Sequence, residues 1–308
     1  MMPLVLAGCN GLQSVTPDPS AAASAPLPAP TATARPPTGT PRKVLVVAEE
    51  NHAYDEVIGN PDAPYLNRLA RTYGQAIHAD AGYPTDCPSL PAYLLMTSGS
   101  TRRICDDKPA RERRLAGNNI FHQVVTAGRQ WRGYAQSMQH RCQLDDAGRY
   151  VSRHAPATYY IDESRRCRRW QVPEASPSRL VADARTGHLQ AYTLLTPDLC
   201  HDMHGGHGCP GGLVAAADNW LRTQLGPVLT SPDFRSGTLV IFVVWDEGSR
   251  SSNHVPLLVL SSSTVGVRDA SPITNCSVLR TSEELLRLPL LGCARHATSL
   301  RTPFHLAS

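Results

Sequence analysis

KVLVVAEENHAYDEVIG, residues 43–59, sets five apolar side chains, Val44 to Ala48, directly against Glu49, Glu50 and Asn51. A short apolar run closed abruptly by polar residues is the pattern of a parallel strand buried on both faces. In an open α/β sheet, ligands bind beyond the carboxyl ends of such strands. A carboxylate and an amide oxygen placed there are hard ligands for a divalent cation. By itself the segment reads equally as a solvated loop leading into the next helix, so the rest of the chain decides its meaning.

Outward from this strand, the pattern alternates. Helix is expected near 62–73, stopped by Gly74, and again over 89–98, ended by Gly99. A third helix, 117–128, precedes a strand at 131–136. Residues 140–180 are charged and aperiodic and read as an irregular insertion. Strand 189–195 ends at Thr196-Pro197-Asp198, and helix 212–225 follows. Strand 238–245 (TLVIFVVW) ends at Asp246-Glu247-Gly248; strand 255–260 and helix 281–288 complete the series. Strands alternating with helices predict an α/β three-layer sandwich around a mostly parallel sheet.

The chain has 308 residues and a net charge of +4, with 41% hydrophobic and 18% charged residues, which fits a globular protein. Its arginine clusters, at 111–114 and 165–169, are not interleaved with aromatics, so nucleic acid is not an expected partner. Cys9 ends Leu6-Ala7-Gly8-Cys9, which resembles a bacterial lipobox, where lipid on the cysteine anchors the chain to a membrane. No basic residue precedes that segment, and it is short for a signal; a start placed too late fits, because a Pro/Ala/Ser/Thr-rich tether follows at once. The expected layout is a signal remnant at 1–9, a tether at 10–41 and a catalytic domain at 42–308. Elsewhere no stretch approaches the roughly 18 apolar residues of a membrane span. The other eight cysteines predict disulfides in an exported chain, most simply between sequence neighbours: 87–105, 142–167, 200–209 and 276–293. A zinc cluster is the rival reading, but no Cys-x-x-Cys pair exists.

Three expected strands now end in acids: Glu49/Glu50, Asp198 and Asp246/Glu247. Gathered along one sheet edge, these would repel one another unless protons or a cation neutralise them. Histidines gather at the same places. His201, His204 and His207 lie in CHDMHGGHGC, and His254 precedes strand 255–260. Such side chains suit metal binding or proton transfer, or else a surface loop stapled by cysteines. Ser89, in Cys87-Pro88-Ser89-Leu90-Pro91, stands where a helix starts. It reads as an N-cap or as a nucleophile beside free N–H groups that attract phosphate, with Thr85 as its competitor.

Together, Glu50-Asn51 with Asp55 and Gly59, Pro88-Ser89-Leu90-Pro91 with Tyr93 and Thr97-Ser98-Gly99, Thr196-Pro197-Asp198 with His201-Asp202-Met203-His204-Gly205, Trp245-Asp246-Glu247, and Asn253-His254-Val255-Pro256 resemble a bacterial phosphoesterase family. That family holds phospholipases C and acid phosphatases within the alkaline-phosphatase-like superfamily, and the resemblance covers roughly residues 43 to 293. Within that family the chain looks most like the exported acid phosphatases, phosphatidylinositol-3-phosphatases among them. The resemblance implies that Glu50, Asn51, Asp246 and Glu247 bind a divalent metal and that Ser89 attacks. It implies that His204 and His254 hold phosphoryl oxygens or protonate the leaving group, and that Asp198, His201 and Asp202 line the site. An all-oxygen shell suits Ca²⁺, Mg²⁺ or Mn²⁺ better than Zn²⁺. Cys87 and Ala92 stand where members often have His and Asn. The expected activity is phosphomonoester hydrolysis, with phospholipid head groups among the possible substrates. The alternatives are a phospholipase C-type phosphodiesterase and a surface-tethered binding lipoprotein without catalysis.

Overall fold

In the computed structural model of the chain, the described residues are Met1 and 42–306 apart from 85, 207, 210, 250 and 251. The lipobox at Cys9, the tether at 10–41, Thr85 and His207 therefore lie outside the described residues. Eight strands form the central sheet. In spatial order they are β5 (Gln171–Glu174), β4 (Trp131–Gln136), β6 (Tyr192–Thr196), β1 (Lys43–Glu49), β7 (Leu239–Trp245), β8 (Leu257–Leu260), β2 (Gly74–Ala76) and β9 (Val267–Asp269). The strands from β5 to β7 run parallel, β8 is antiparallel to both its neighbours, and β9 runs parallel to β2. A small second sheet pairs β3 (Ala79–Asp80) with β10 (Ile273–Thr274).

The central strands sit where their composition requires. All seven residues of β7 are buried, as are Val44 to Glu49 of β1, so both are covered on two faces. Two groups of helices flank the sheet. In one, α3 (Ser89–Ser98) packs on α4 (Ile120–Thr126) and α9 (Asn275–Leu285). In the other, α7 (Leu213–Val228) packs on α2 (Pro64–Thr72) and α6 (Arg179–Arg185). Shorter helices are α1 (Tyr54–Val57), α5 (Ser164–Trp170) and α8 (Pro232–Arg235). The expected sandwich with a mostly parallel sheet is the observed one.

Residues 140–180 are more regular than their sequence suggests, because they supply α5 and the edge strand β5. A four-residue strand containing Pro173 gives little periodicity, and proline is tolerated on a sheet edge, where its missing N–H costs no ladder bond. Helix α9 begins at Asn275, six residues before the expected 281, because Thr274 and Ser277 form a reciprocal cap. Gly99 ends α3 in the left-handed region at φ 69°, and a Cβ there would meet the Leu291 carbonyl at 2.5 Å. Four disulfides join Cys87–Cys105, Cys142–Cys167, Cys200–Cys209 and Cys276–Cys293, with Cα separations of 4.8, 5.2, 5.1 and 5.8 Å. The neighbour pairing is thus the observed one.

One buried acid far from the sheet edge makes stability depend on pH. Glu283 of α9 is fully buried, and its carboxylate accepts the Leu291 N–H at 3.1 and 3.2 Å. Burial pushes its pKa from 4.5 up to about 8. The folded state therefore keeps a proton that the unfolded chain releases. Stability fully present below pH 4.5 is lost as pH rises through about 8. Glu283→Gln, a neutral isostere, is expected to leave Tm unchanged at pH 4 and to raise it by roughly 5 °C or more at pH 8. Thermal melts across that range check this, and an equal shift at both pH values would contradict it.

Candidate active site

Glu49 of β1 stands in register with Trp245 of β7, so the next residue of each strand, Glu50 and Asp246, emerges side by side at the carboxyl edge. Glu247 follows, and the ligand oxygens of Glu50, Asp246 and Glu247 all lie within 4.8 Å of one another. The chain turns sharply at Gly248, where a Cβ would meet the Ser252 carbonyl oxygen at 1.9 Å. Side chains alternate along a strand, so Glu49 projects to the face opposite Glu50. There it is fully buried, and neither carboxylate oxygen has a hydrogen-bond partner.

Ser89 completes the cluster. It is the first residue of α3, with Pro88 as the cap, so its hydroxyl is not spent on capping. Its Oγ donates to Glu50 Oε2 at 3.0 Å and lies 3.3 Å from Glu247 Oε1. The helix end offers fewer free donors than the sequence suggested. The Leu90 N–H is taken by Asp107 Oδ1 at 2.8 Å, and Pro91 has none.

Glu50 is held from behind by residues to which the sequence reading gave no such role. Tyr93 Oη, one turn past Ser89, donates to Glu50 Oε1 at 2.8 Å. His154 stacks on Tyr93 with ring centroids 5.1 Å apart. Its Nε2 lies 3.0 Å from Glu50 Oε1 and its Nδ1 lies 3.1 Å from Asp202 Oδ2. His154 thus bridges two buried carboxylates. Tyr83 Oη donates to Glu247 Oε2 at 2.7 Å. Arg153 reaches Asp107 at 3.0 Å and His204 Nε2 at 3.4 Å. No local signal marks Arg153 and His154, which sit in a short 3₁₀ turn, Ser152–His154, inside the stretch read as irregular. Tyr93 was legible as a member of the serine motif, though not as a partner of Glu50.

Burial raises the pKa of every acid here, and charge neighbours then separate them. For Glu50, burial is the largest single influence, but the charge and hydrogen bond of His154, with His204 and the Tyr93 hydroxyl, together outweigh it and hold the pKa below its ordinary value. Asp246 is pushed well up by burial and then by Glu50 and Glu247. Glu247 is raised by burial and again by Glu50. His154 is raised, because Glu50 and Asp202 together outweigh its own desolvation. His154 therefore favours the ionised form of Glu50, while Asp246 and Glu247 are biased toward their protonated forms unless more positive charge arrives. Asp246 Oδ2 is buried without a partner. Three converging carboxylates with an orphaned oxygen fit a divalent cation.

The remaining expected site residues are placed unevenly. Asp202 joins the cluster through His154. Asn51, held at φ 53°, lines a cavity of about 530 Å³ together with Glu247 and Asn253. His204 has Nδ1 2.9 Å from the Gly205 carbonyl, and its ring lies 5.9 Å from that of His154. His254, expected at the phosphoryl oxygens, has its Nε2 3.0 Å from the Ile77 carbonyl and its ring stacked on Tyr54 at 4.7 Å. Asp198 and His201 pair with each other at 3.0 Å, beside Ser137 and Gln136, a short way along the edge.

The architecture is shared with known proteins. A protein of the alkaline phosphatase superfamily from Vibrio parahaemolyticus superposes with a TM-score of 0.57 at 12% identity, over 86% of this chain and 72% of that one. The C-terminal periplasmic domain of EcEptC from Escherichia coli, in complex with Zn, gives 0.51 at 11% identity, over 82% and 84%. These likenesses show an α/β fold shared with those proteins. Within it, the phosphoesterase family pattern matches residues 60–289, and the chain belongs to that family as a phosphoric ester hydrolase. It is 28% identical over 257 residues to phosphatidylinositol-3-phosphatase of Mycobacterium tuberculosis, covering 82% of this chain and 80% of that relative.

Proposed function

We propose that the chain is an exported, metal-assisted phosphomonoesterase with Ser89 as its nucleophile. The observation that carries this reading is the placement of Ser89 Oγ at 3.0 and 3.3 Å from two members of the three-carboxylate cluster. Glu50, Asp246 and Glu247 would hold the cation, with Asn51 at the mouth of the site. The oxygen-only donor set favours Ca²⁺, Mg²⁺ or Mn²⁺. When bound, such a cation supplies positive charge beside the serine oxygen and the phosphoryl group.

Ser89 passes its proton to the carboxylate it already touches, and its oxygen bonds to phosphorus as the bond to the alcohol oxygen breaks. Arg153 forms the cationic side of the site, and His204 gives a proton to the departing alkoxide. Water then attacks the phosphoserine, giving one proton to His204, while Ser89 recovers its own. Asp202 and His154 act through Glu50 as positioning residues. Four disulfides support an oxidising compartment. Cys9 is the proposed membrane anchor, residues 42–308 are the proposed catalytic unit, and a phosphoinositide is one candidate substrate because of the relative's name.

A paired assay with a nitrophenyl phosphate and its diester tests this reading. The monoester is expected to be hydrolysed at least tenfold faster, in the range that binding and orientation differences produce. Chelator should abolish turnover, and added Ca²⁺, Mg²⁺ or Mn²⁺ should restore it. Preference for the diester would establish the phospholipase C-type alternative, full activity in chelator would remove the cation, and no hydrolysis of either ester would leave a binding protein.

A further inference from the structure

A groove of about 800 Å³ opens at the same carboxyl edge of the sheet, beyond β4 and β5 and between α6 and α7. That volume falls within the range of small-molecule sites. Strands lie about 4.8 Å apart, which puts β4 about 10 Å from β1. The turn 198–204 links the two places. Asp202 at one end meets His154 behind Glu50, while His201 at the other stacks on Trp220, with ring centroids 5.8 Å apart. Trp220 also lines the groove.

The lining is chemically specific. Trp220, Pro177 and Pro227 give flat apolar surface, whereas Gln136, Ser137 and Thr223 give amide and hydroxyl groups. Charge is sparse and balanced, with Glu174 against Arg185. Glu174 is 4% exposed; its Oε2 accepts the Leu180 N–H at 3.1 Å, and its Oε1 has no partner. An anion would find a carboxylate here, and although Gln136 Oε1, Ser137 and Thr223 already have partners within the protein, an apolar chain would leave Glu174 Oε1 and the remaining hydroxyl lone pairs unmet. A neutral ring with one C–H face and many hydroxyls satisfies both surfaces, stacking on indole and proline and hydrogen-bonding around its edge.

We infer that this groove binds the polyhydroxylated ring, a hexose or a cyclitol, carried by the alcohol half of the substrate. The link to substrate rests on the esterase reading above; binding in the groove does not. The test uses the full chain carrying Ser89→Ala, titrated by calorimetry and ligand-observed NMR with D-glucose, myo-inositol and glycerol. One of the two rings is expected to bind with a millimolar Kd, with glycerol about tenfold weaker because it lacks the ring face. Glucose against inositol separates a sugar from a cyclitol ligand. Adding Trp220→Ala, or Thr223→Arg at an exposed position in case the indole is needed for folding, should weaken that ring about tenfold with the circular dichroism intact. Absence of ring binding, equal binding of glycerol, or indifference to both substitutions would overturn the groove assignment. Failure of the ester assay alone would overturn only the link to substrate.

Discussion

Ser89→Ala is expected to lower kcat for an aryl phosphomonoester by about a thousandfold or more, without loss of the fold. The helix start does not depend on this hydroxyl, since Pro88 is the cap and Asp107 holds the Leu90 N–H. What disappears is the proposed nucleophile, the hydroxyl that touches both Glu50 and Glu247. The stability change is expected to be small, about 1 kcal/mol, because one buried hydrogen bond is lost. A second readout separates nucleophile from mere ligand. Acid-quenched wild-type protein should yield a phosphorylated peptide spanning Ser89, and the variant should not. Turnover retained by the variant would falsify the assignment.

Strand β1 was legible because a buried parallel strand writes itself as an unbroken apolar run, and its end was legible because Glu49 to Asn51 break it so sharply. The acids after β7 were found in the same way, and their meeting with Glu50 follows from strand adjacency once the sheet is parallel. Ser89 was visible as a helix start, but only the structure shows Pro88 taking the cap and freeing the hydroxyl. His154 had no such signature, because its function arises from two carboxylates brought to it from β1 and from the turn after β6. Long-range convergence of this kind leaves no periodicity in the insertion itself. The two histidines chosen from sequence have different partners for a related reason. His204 lies within reach of Arg153 and His154, while His254 spends its ring on Tyr54 and a backbone carbonyl. A histidine beside a strand end does not announce which face it will take.

The largest effect on stability is expected from His154→Leu. The residue is 3% exposed and lies between Glu50 and Asp202, both fully buried. Removing it leaves two carboxylates without their cation, which costs roughly 3–5 kcal/mol and lowers Tm by roughly 10 °C. Its pKa is raised above 6.5 in the folded protein, so the stability it contributes is fully present below that pH and is lost as pH rises through the raised value. Glu50 works in the opposite direction: its pKa is depressed below 4.5, so its contribution is present above that pH and is lost on acidification. The wild-type advantage over His154→Leu should therefore be greatest between about pH 5 and pH 6.5 and should shrink on both sides. Activity should fall about a hundredfold, because Glu50 loses both its orientation and its tendency to ionise. Adding Asp202→Asn to His154→Leu should recover part of the stability, since one uncompensated carboxylate then becomes neutral, but little of the activity, since Glu50 remains unsupported. Melting curves and kcat measured across pH for the single and double variants check both expectations. A double variant that melts no higher than the single one would show that Asp202 and His154 are not electrostatically paired.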